Sequence, residues 1–425
     1  AECARREARK AGYEIVTVFG GPHPTALPEE TMAHEAVDFV IPGEGETTLT
    51  ELVACLAEGA DPSRVKGLYL RNGGSVVFTG RRARIRDLDA LPWPKRESAV
   101  LDIAKQYQIA YPPPGEQVRI AQVMYSRGCP FSCSFCSSEN TWGREIIWRS
   151  PESVLDEIEH LVEKHGTNLI YFPDLTFNAN RDRVLTLCAE FRRRRPPVHW
   201  WALFRSDLLD EELLDALADA GCVKLSLGLE SPNDRLSEDV KSAYTARKTD
   251  MLRVLQHADK LGLIIKAFLI LGFPDERRED IVAYVDTLLE YPIDELRVTF
   301  ATPFPGTRFW DQCRKEGVID GHPSWEQFTT EEPVITHPTL SHAELLALRE
   351  RLVGDFYLHS RYAAHVTQKL RRFPRLCESW VQYFDFLGKK GVFRHRQREF
   401  THFCRILKDE SSRMACTSAP LSGPA

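Results

Sequence analysis

The sequence predicts an α/β fold: six strand–helix repeats of the parallel kind, preceded by a doubly wound (Rossmann-like) α/β piece and followed by a helical extension. Three observations predict it. Between residue 120 and about 310, short apolar runs alternate with amphipathic segments across short connections, the signature of parallel βα units. Residues 1 to about 60 alternate in the same way but offer too few strands to close a sheet domain. Beyond 320 the apolar spacing is three and four only.

The central strands are expected at Ile120–Met124, Asn168–Phe172, Val198–Phe204, Val223–Leu227, Ile264–Leu271 and Leu296–Ala301. Helical spacing places segments at Pro151–Glu163, Arg181–Phe191, Glu211–Ala220, Thr249–Lys260 and Arg278–Glu290 between them. In the N-terminal piece a helix is expected over 2–11 and strands over Glu14–Phe19 and Val37–Ile41. The turn Gly20-Gly-Pro-His-Pro24 lies between those strands, and a helix over Thr47–Ala57 follows. Gly67–Thr79 reads as a hairpin turning at Asn72-Gly73, and Leu88–Pro94 with Tyr111–Pro114 as extended linker. These give segments 1–60, 61–119, 120–320 and 321–425. In the last, a helix spans Ser341–Phe356. The basic stretch 361–400, with Lys369, Arg371 and Arg372, reads as a solvated helix face, and the final dozen residues as disordered. The chain starts without Met inside an amphipathic pattern, which reads as a missing natural N-terminus.

A length of 425 residues with 43% hydrophobic content supports two or three domains. Lys and Arg number 55 against 61 acids, so the net charge of −6 argues against a general nucleic-acid binder. No apolar run of about 18 residues predicts a membrane span, and the polar start is no secretory signal. The 11 cysteines are mostly scattered, as in a reduced cytoplasmic protein.

Three of them are not scattered. Cys129, Cys133 and Cys136 stand in Tyr125-Ser-Arg-Gly-Cys-Pro-Phe-Ser-Cys-Ser-Phe-Cys136, directly after the first central strand. Three thiols on so short an irregular loop suit an iron–sulfur cluster and leave one iron of a four-iron cluster open to a further ligand. A structural zinc site would want a fourth ligand nearby, whereas the next cysteine is Cys188 and the next histidine His160. A simple ferredoxin is excluded by size. Cys188 and Cys222 read as core, and Arg192–Arg195 as the cationic end of a helix.

The triplet, with Phe135 before its last cysteine, resembles the radical S-adenosylmethionine (SAM) enzymes. The resemblance implies a partial (β/α)6 TIM-type barrel with its chemistry at the C-terminal strand ends. It implies a [4Fe-4S] cluster on the three cysteines, chelation of the free iron by SAM, and reductive cleavage to a 5′-deoxyadenosyl radical. Phe135 would lie near the adenine, Asp174 near the SAM amino group, and Arg205 near its carboxylate or a neighbouring acid. Ser226 and Glu230 would contact ribose or the methionyl group, an Arg205–Glu230 ion pair being the structural alternative. Leu271–Glu276 and Thr302–Thr307 resemble the family's adenine-framing turns. Val18–His23 and Asp38–Glu46 look like the second half of a cobalamin-binding domain, with Gly20 and Gly21 where backbone approaches a bulky ligand; an ordinary βα turn is the other reading. That domain's DxHxxG signature is not in the sequence.

The expected function is transfer of a methyl group to an unactivated carbon, with cobalamin open as a third cofactor. The alternatives are an oxygen-independent cyclase of the Mg-protoporphyrin ester type, or a non-catalytic iron–sulfur electron carrier or sensor. The resemblance also implies a small-molecule substrate and a reductant such as flavodoxin or ferredoxin.

Overall fold

The computed structural model describes residues 1–96, 118–233, 236, 240–241, 248–319 and 324–417. The expected linker at Tyr111–Pro114 lies outside them. The chain forms two compact units.

The first unit comprises Ala1–Leu91, Arg127–Trp148 and Pro303–Gly321. Its four-stranded sheet runs β1 (Val18–Gly20), β2 (Phe39–Ile41), β3 (Tyr69–Asn72) and β4 (Ser75–Phe78), in that order. β1 and β2 are parallel, as the βα alternation predicts. β3 is antiparallel to β2, with Phe39 opposite Leu70 and Val40 opposite Tyr69. The hairpin is therefore part of the N-terminal sheet and not of a linker, because it supplies the backbone partners that β2 lacks on one side. Its turn falls at Gly73 and Gly74, both at positive φ, one residue later than expected, and Asn72 ends the strand. Ile41, Leu52, Val65, Leu68 and Leu70 form the core beneath. The anticipated Gly20–Pro24 turn is partly helical. Gly21, at φ 99°, leads into a short helix Pro22–Ala26, and a second, Pro28–Ala33, follows. Both start on proline, whose fixed φ suits a first helical position.

The second unit holds a six-stranded parallel sheet: β5 (Ile120–Gln122), β8 (Leu169–Phe172), β9 (His199–Phe204), β10 (Cys222–Glu230), β11 (Ile264–Leu271) and β12 (Glu295–Phe300). Two-residue strands β6 (Ser126–Arg127) and β7 (Ile147–Trp148) pair with each other after β5. Spatial order follows chain order, and right-handed crossovers then place every intervening helix on one face, the curled sheet of a partial barrel. The helix-facing residues are the alternate ones: Leu225, Leu227, Ile265, Ala267, Leu269 and Leu271 are fully buried. Trp200 stacks at 5.5 Å on Phe191 of the helix Arg181–Arg194. Each such large apolar side chain contributes roughly 1.5–3 kcal/mol. Cys188 and Cys222 are core, and Arg192–Arg194 end their helix with Arg195 as its cap.

The C-terminal helices are His342–Tyr357, with a Ser341/Glu344 capping box, then Ser360–Arg372, Cys377–Lys389 and Gln397–Thr417. The last reaches into the dozen residues expected to be disordered; 418–425 lie outside the described residues. The basic stretch is not simply a solvated face. Lys369 is fully buried against Asp294 and Asp259, and Arg372 pairs with Asp259.

Candidate functional site

Arg127 leads into the cysteine loop through Gly128, whose φ of 107° and position against the chain both demand glycine. A Cβ there would lie 2.1 Å from the carbonyl oxygen of Glu145. The Cys129 N–H donates to Gly143 O at 3.2 Å and the Cys136 N–H to Cys133 O at 3.2 Å. On its other flank the loop meets the segment Pro303–Gly321: the Phe309 N–H donates to Ser134 O at 2.9 Å, and Arg308 donates to Ser132 O. The expected adenine-framing turn at Thr302–Thr307 thus has contacts on the cysteine loop, with Asn140 Nδ2 3.5 Å from Pro305 O. Cys129 is buried and Cys133 and Cys136 are half-buried, with Cys136 Sγ 3.0 Å from Ser138 Oγ. Phe135 is half-buried between the last two. Three thiols on one loop are a donor set that fits a cluster.

Sequence reasoning missed what holds this loop. Glu44, in Pro42-Gly-Glu-Gly-Glu46, accepts from Arg127 at 3.1 Å through one oxygen and from the Ile85 N–H at 3.0 Å through the other. Glu46 accepts from the second Arg127 nitrogen at 2.6 Å. The Arg127 guanidinium also lies 5.1 Å from the centre of the Trp142 ring. The one signal in the sequence is the density of acids in a glycine-rich loop with a lone cation just before Gly128-Cys129.

Within the second unit, Asp174, Arg205 and Glu230 stand at or just past the C-terminal ends of their strands, whereas Ser226, expected at such an end, lies in the middle of β10 because the strand runs three residues beyond its predicted bound. Asp174 follows β8 and accepts from the Tyr125 N–H at 3.1 Å, the Ser126 N–H at 2.5 Å and Ser126 Oγ at 2.6 Å. It anchors the chain three residues before Cys129. Burial pushes its carboxyl up to about 6, against these hydrogen bonds, which pull it down. Arg205 ends β9 in a two-point ion pair with Asp207, at 2.9 and 2.8 Å, and its main chain is held by Asn178. Ser226 is buried on β10. Glu230 closes that strand at a register shift with φ 64°, an uncommon conformation for a side-chain-bearing residue, and is half-buried. Burial raises its carboxyl, while Lys241 and Arg205 draw it back. Its side chain folds over Gly228, where a Cβ would come within 2.2 Å of Glu230 Oε1. The charge of Arg205 therefore reaches Glu230 as well as its ion-pair partner Asp207.

The turn Gly272–Glu276 closes on itself. Glu276 accepts from the Gly272 N–H at 2.5 Å and from Tyr284 Oη at 2.6 Å; Tyr284 also reaches Ser231 Oγ at 3.1 Å. Burial pushes Glu276 up from the ordinary 4.5 to about 7. Between those values the native state keeps a proton that the unfolded chain releases, so stability falls as pH rises through this window. Urea midpoints measured across it are expected to decline in wild type and to decline less in Glu276→Gln; identical slopes would contradict this.

One unit thus carries a Rossmann-like sheet and the loop of three thiols, and the other a six-stranded parallel partial barrel. The sequence matches the Radical SAM superfamily over residues 123–288 and the B12 binding domain over residues 1–53. It is 30% identical over 355 residues to an uncharacterized methyltransferase of Pyrococcus horikoshii, covering 83% of this chain and 75% of that protein. It is 31% identical over 356 residues to the anaerobic magnesium-protoporphyrin IX monomethyl ester cyclase of Cereibacter sphaeroides, covering 80% of this chain but 55% of the cyclase. The fold is that of the radical SAM methyltransferase TsrM from Kitasatospora setae, at a TM-score of 0.63 and 22% identity, over 81% of this chain and 68% of TsrM. The chain belongs to the radical SAM superfamily and is an enzyme of that type, with a [4Fe-4S] cluster and SAM as its cofactors. Among the described residues no helix is long and apolar enough to cross a membrane.

Proposed function

We propose that this enzyme transfers a methyl group to an unactivated carbon of a small molecule, with Cys129, Cys133 and Cys136 as the cluster ligands and cobalamin as methyl carrier. The observation that carries the reading is that the B12-binding match, residues 1–53, and the cysteine loop fold within one unit and are tied by Glu44 and Arg127. The cluster and SAM supply one-electron chemistry when bound, and cobalamin the methyl group. The chain's own residues do the rest. Three thiolates hold the cluster, Asp174 fixes the entry to their loop, and Ser226, in the middle of β10, and Glu230, at its end, offer a hydroxyl and a carboxylate for polar groups of SAM.

Gly20 and Gly21 fit a bulky ligand tail. A Cβ on Gly20 would meet Ile41 O at 3.4 Å and one on Gly21 nothing within 4 Å, so it is Gly21 that presents bare backbone to open space.

The test is anaerobic reconstitution with iron and sulfide, reduction by dithionite or by flavodoxin or ferredoxin, and assay of 5′-deoxyadenosine from SAM with and without cobalamin. Product is expected from wild type and none from Cys133→Ala. Methylated product that depends on cobalamin supports methyl transfer. SAM cleavage indifferent to cobalamin favours the cyclase-type reading, and a cluster without SAM cleavage the carrier.

A further inference from the structure

We propose that Glu44 and Arg127 are positioning residues for the cluster, and that the N-terminal sheet serves as the template on which the cysteine loop is held. The proposal rests on the reading that Cys129, Cys133 and Cys136 bind the cluster.

Glu44 joins three stretches of chain far apart in sequence. One oxygen takes Arg127, two residues before Cys129, and the other takes the Ile85 N–H at 3.0 Å. Arg84, beside Ile85, brings its Nε to 3.9 Å from the same carboxylate. It also donates to the carbonyls of Arg127, at 3.4 Å, and of Glu145. Glu145 O is the atom against which Gly128 is pressed, so Glu44 holds one edge of the loop through Arg127 and the neighbouring Arg84 holds the other. The side chains of Glu44 and Arg127 are 8% and 11% exposed, which limits screening of the pair by water and salt. On the sheet side, the Gly43 N–H donates to Thr25 Oγ1 at 2.9 Å, and Thr25 Oγ1 donates to Gly21 O at 2.7 Å. Hydrogen bonds and one ion pair therefore run from the glycine turn after β1 to the root of the cysteine loop. Groups that orient metal ligands from behind typically change metal affinity about 10–100-fold when removed.

Full-length wild type, Glu44→Gln, Arg127→Met, the double variant and Arg127→Lys would be reconstituted anaerobically. The readouts are iron per chain, the rate of iron release to a chelator, and the melting temperature of the apoprotein. Each single variant is expected to release iron about tenfold faster than wild type. The double variant should release iron more slowly than the product of the two single effects, because both singles remove the shared Glu44–Arg127 bond. Arg127→Lys should recover part of the loss, and Glu51→Gln, at the more exposed Arg82 pair, should release iron as wild type does. Release at the wild-type rate, or a double variant with multiplied effects, would overturn the proposal. So would a lowered apoprotein melting temperature with unchanged release, which marks a merely structural pair. Wild type that takes up no iron would instead sink the cluster reading itself, and the clamp with it.

Discussion

Replacing Lys369 by methionine is expected to cost about 3–5 kcal/mol of folding stability, the usual penalty for removing one partner of a buried ion pair. Lys369 is fully buried on the helix Ser360–Arg372. Its ammonium bonds Asp294, donates to Leu263 O at 2.7 Å and lies 3.2 Å from Asp259 Oδ1. Asp294 is itself fully buried and accepts from the Ile265 N–H at 2.7 Å, with His365 Nε2 at 3.0 Å. Asp259, Asp294 and His365 bring their ligating atoms within 4.8 Å of one another, a grouping that needs a cation, and the lysine ammonium supplies it. Methionine fills the volume but takes the ammonium from the fully buried Asp294, while Asp259 keeps Arg372. The cluster stands where β11 and β12 begin, so the loss loosens the attachment of the C-terminal helices to that edge of the sheet. Urea denaturation of the variant measures it; a loss below about 1 kcal/mol, the value of an exposed pair, would refute the account.

The same residue shows where the sequence was readable and where it was not. β11 stands at the bounds that its pattern predicts, because Ile265, Ala267, Leu269 and Leu271 alternate with partly exposed neighbours and strand period is a local property. The helix carrying Lys369 has an equally local signal, but the partner of its ammonium lies 75 positions earlier, and no spacing rule reports that. Glu44 and Arg127, 83 positions apart, are hidden for the same reason. β3 and β4 read correctly as a hairpin, while their sheet partner did not, since one face of a hairpin does not name the strand it will meet. Arg205 was rightly placed at a strand end and its neighbour Asp207, two residues on, was overlooked. Asp174 stood out as an acid at a strand end, but its hydrogen bonds to main chain at Tyr125 and Ser126 follow only from the pairing of β5 with β8.

Gly128→Ala is expected to abolish cluster assembly while leaving the barrel folded. Two separate costs fall on that alanine. The φ of 107° lies outside the regions open to a side-chain-bearing residue, and the Cβ would stand 2.1 Å from Glu145 O and 3.3 Å from Ile146 Cα, all backbone atoms that no rotamer change can move aside. Relief requires the loop edge to separate from 145–146, which takes Cys129 away from the Gly143 carbonyl that its N–H meets at 3.2 Å. Gly73→Ala is the matched control, because Gly73 also has positive φ, 58°, but a Cβ there meets nothing within 4 Å. Its cost is the conformational one alone, about 1–2 kcal/mol at the hairpin, with iron uptake unchanged. After anaerobic reconstitution, Gly128→Ala should hold less than about a tenth of the iron of wild type, since misplacing a ligand from behind already costs about 10–100-fold. Far-UV circular dichroism should stay close to that of wild type, because of the strands only the two-residue β6 and β7 adjoin this turn and the six-stranded sheet does not include them. Full iron content in Gly128→Ala would mean that the loop reaches its cluster-bound form without the close approach at Glu145, and the geometric requirement for glycine would then be wrong.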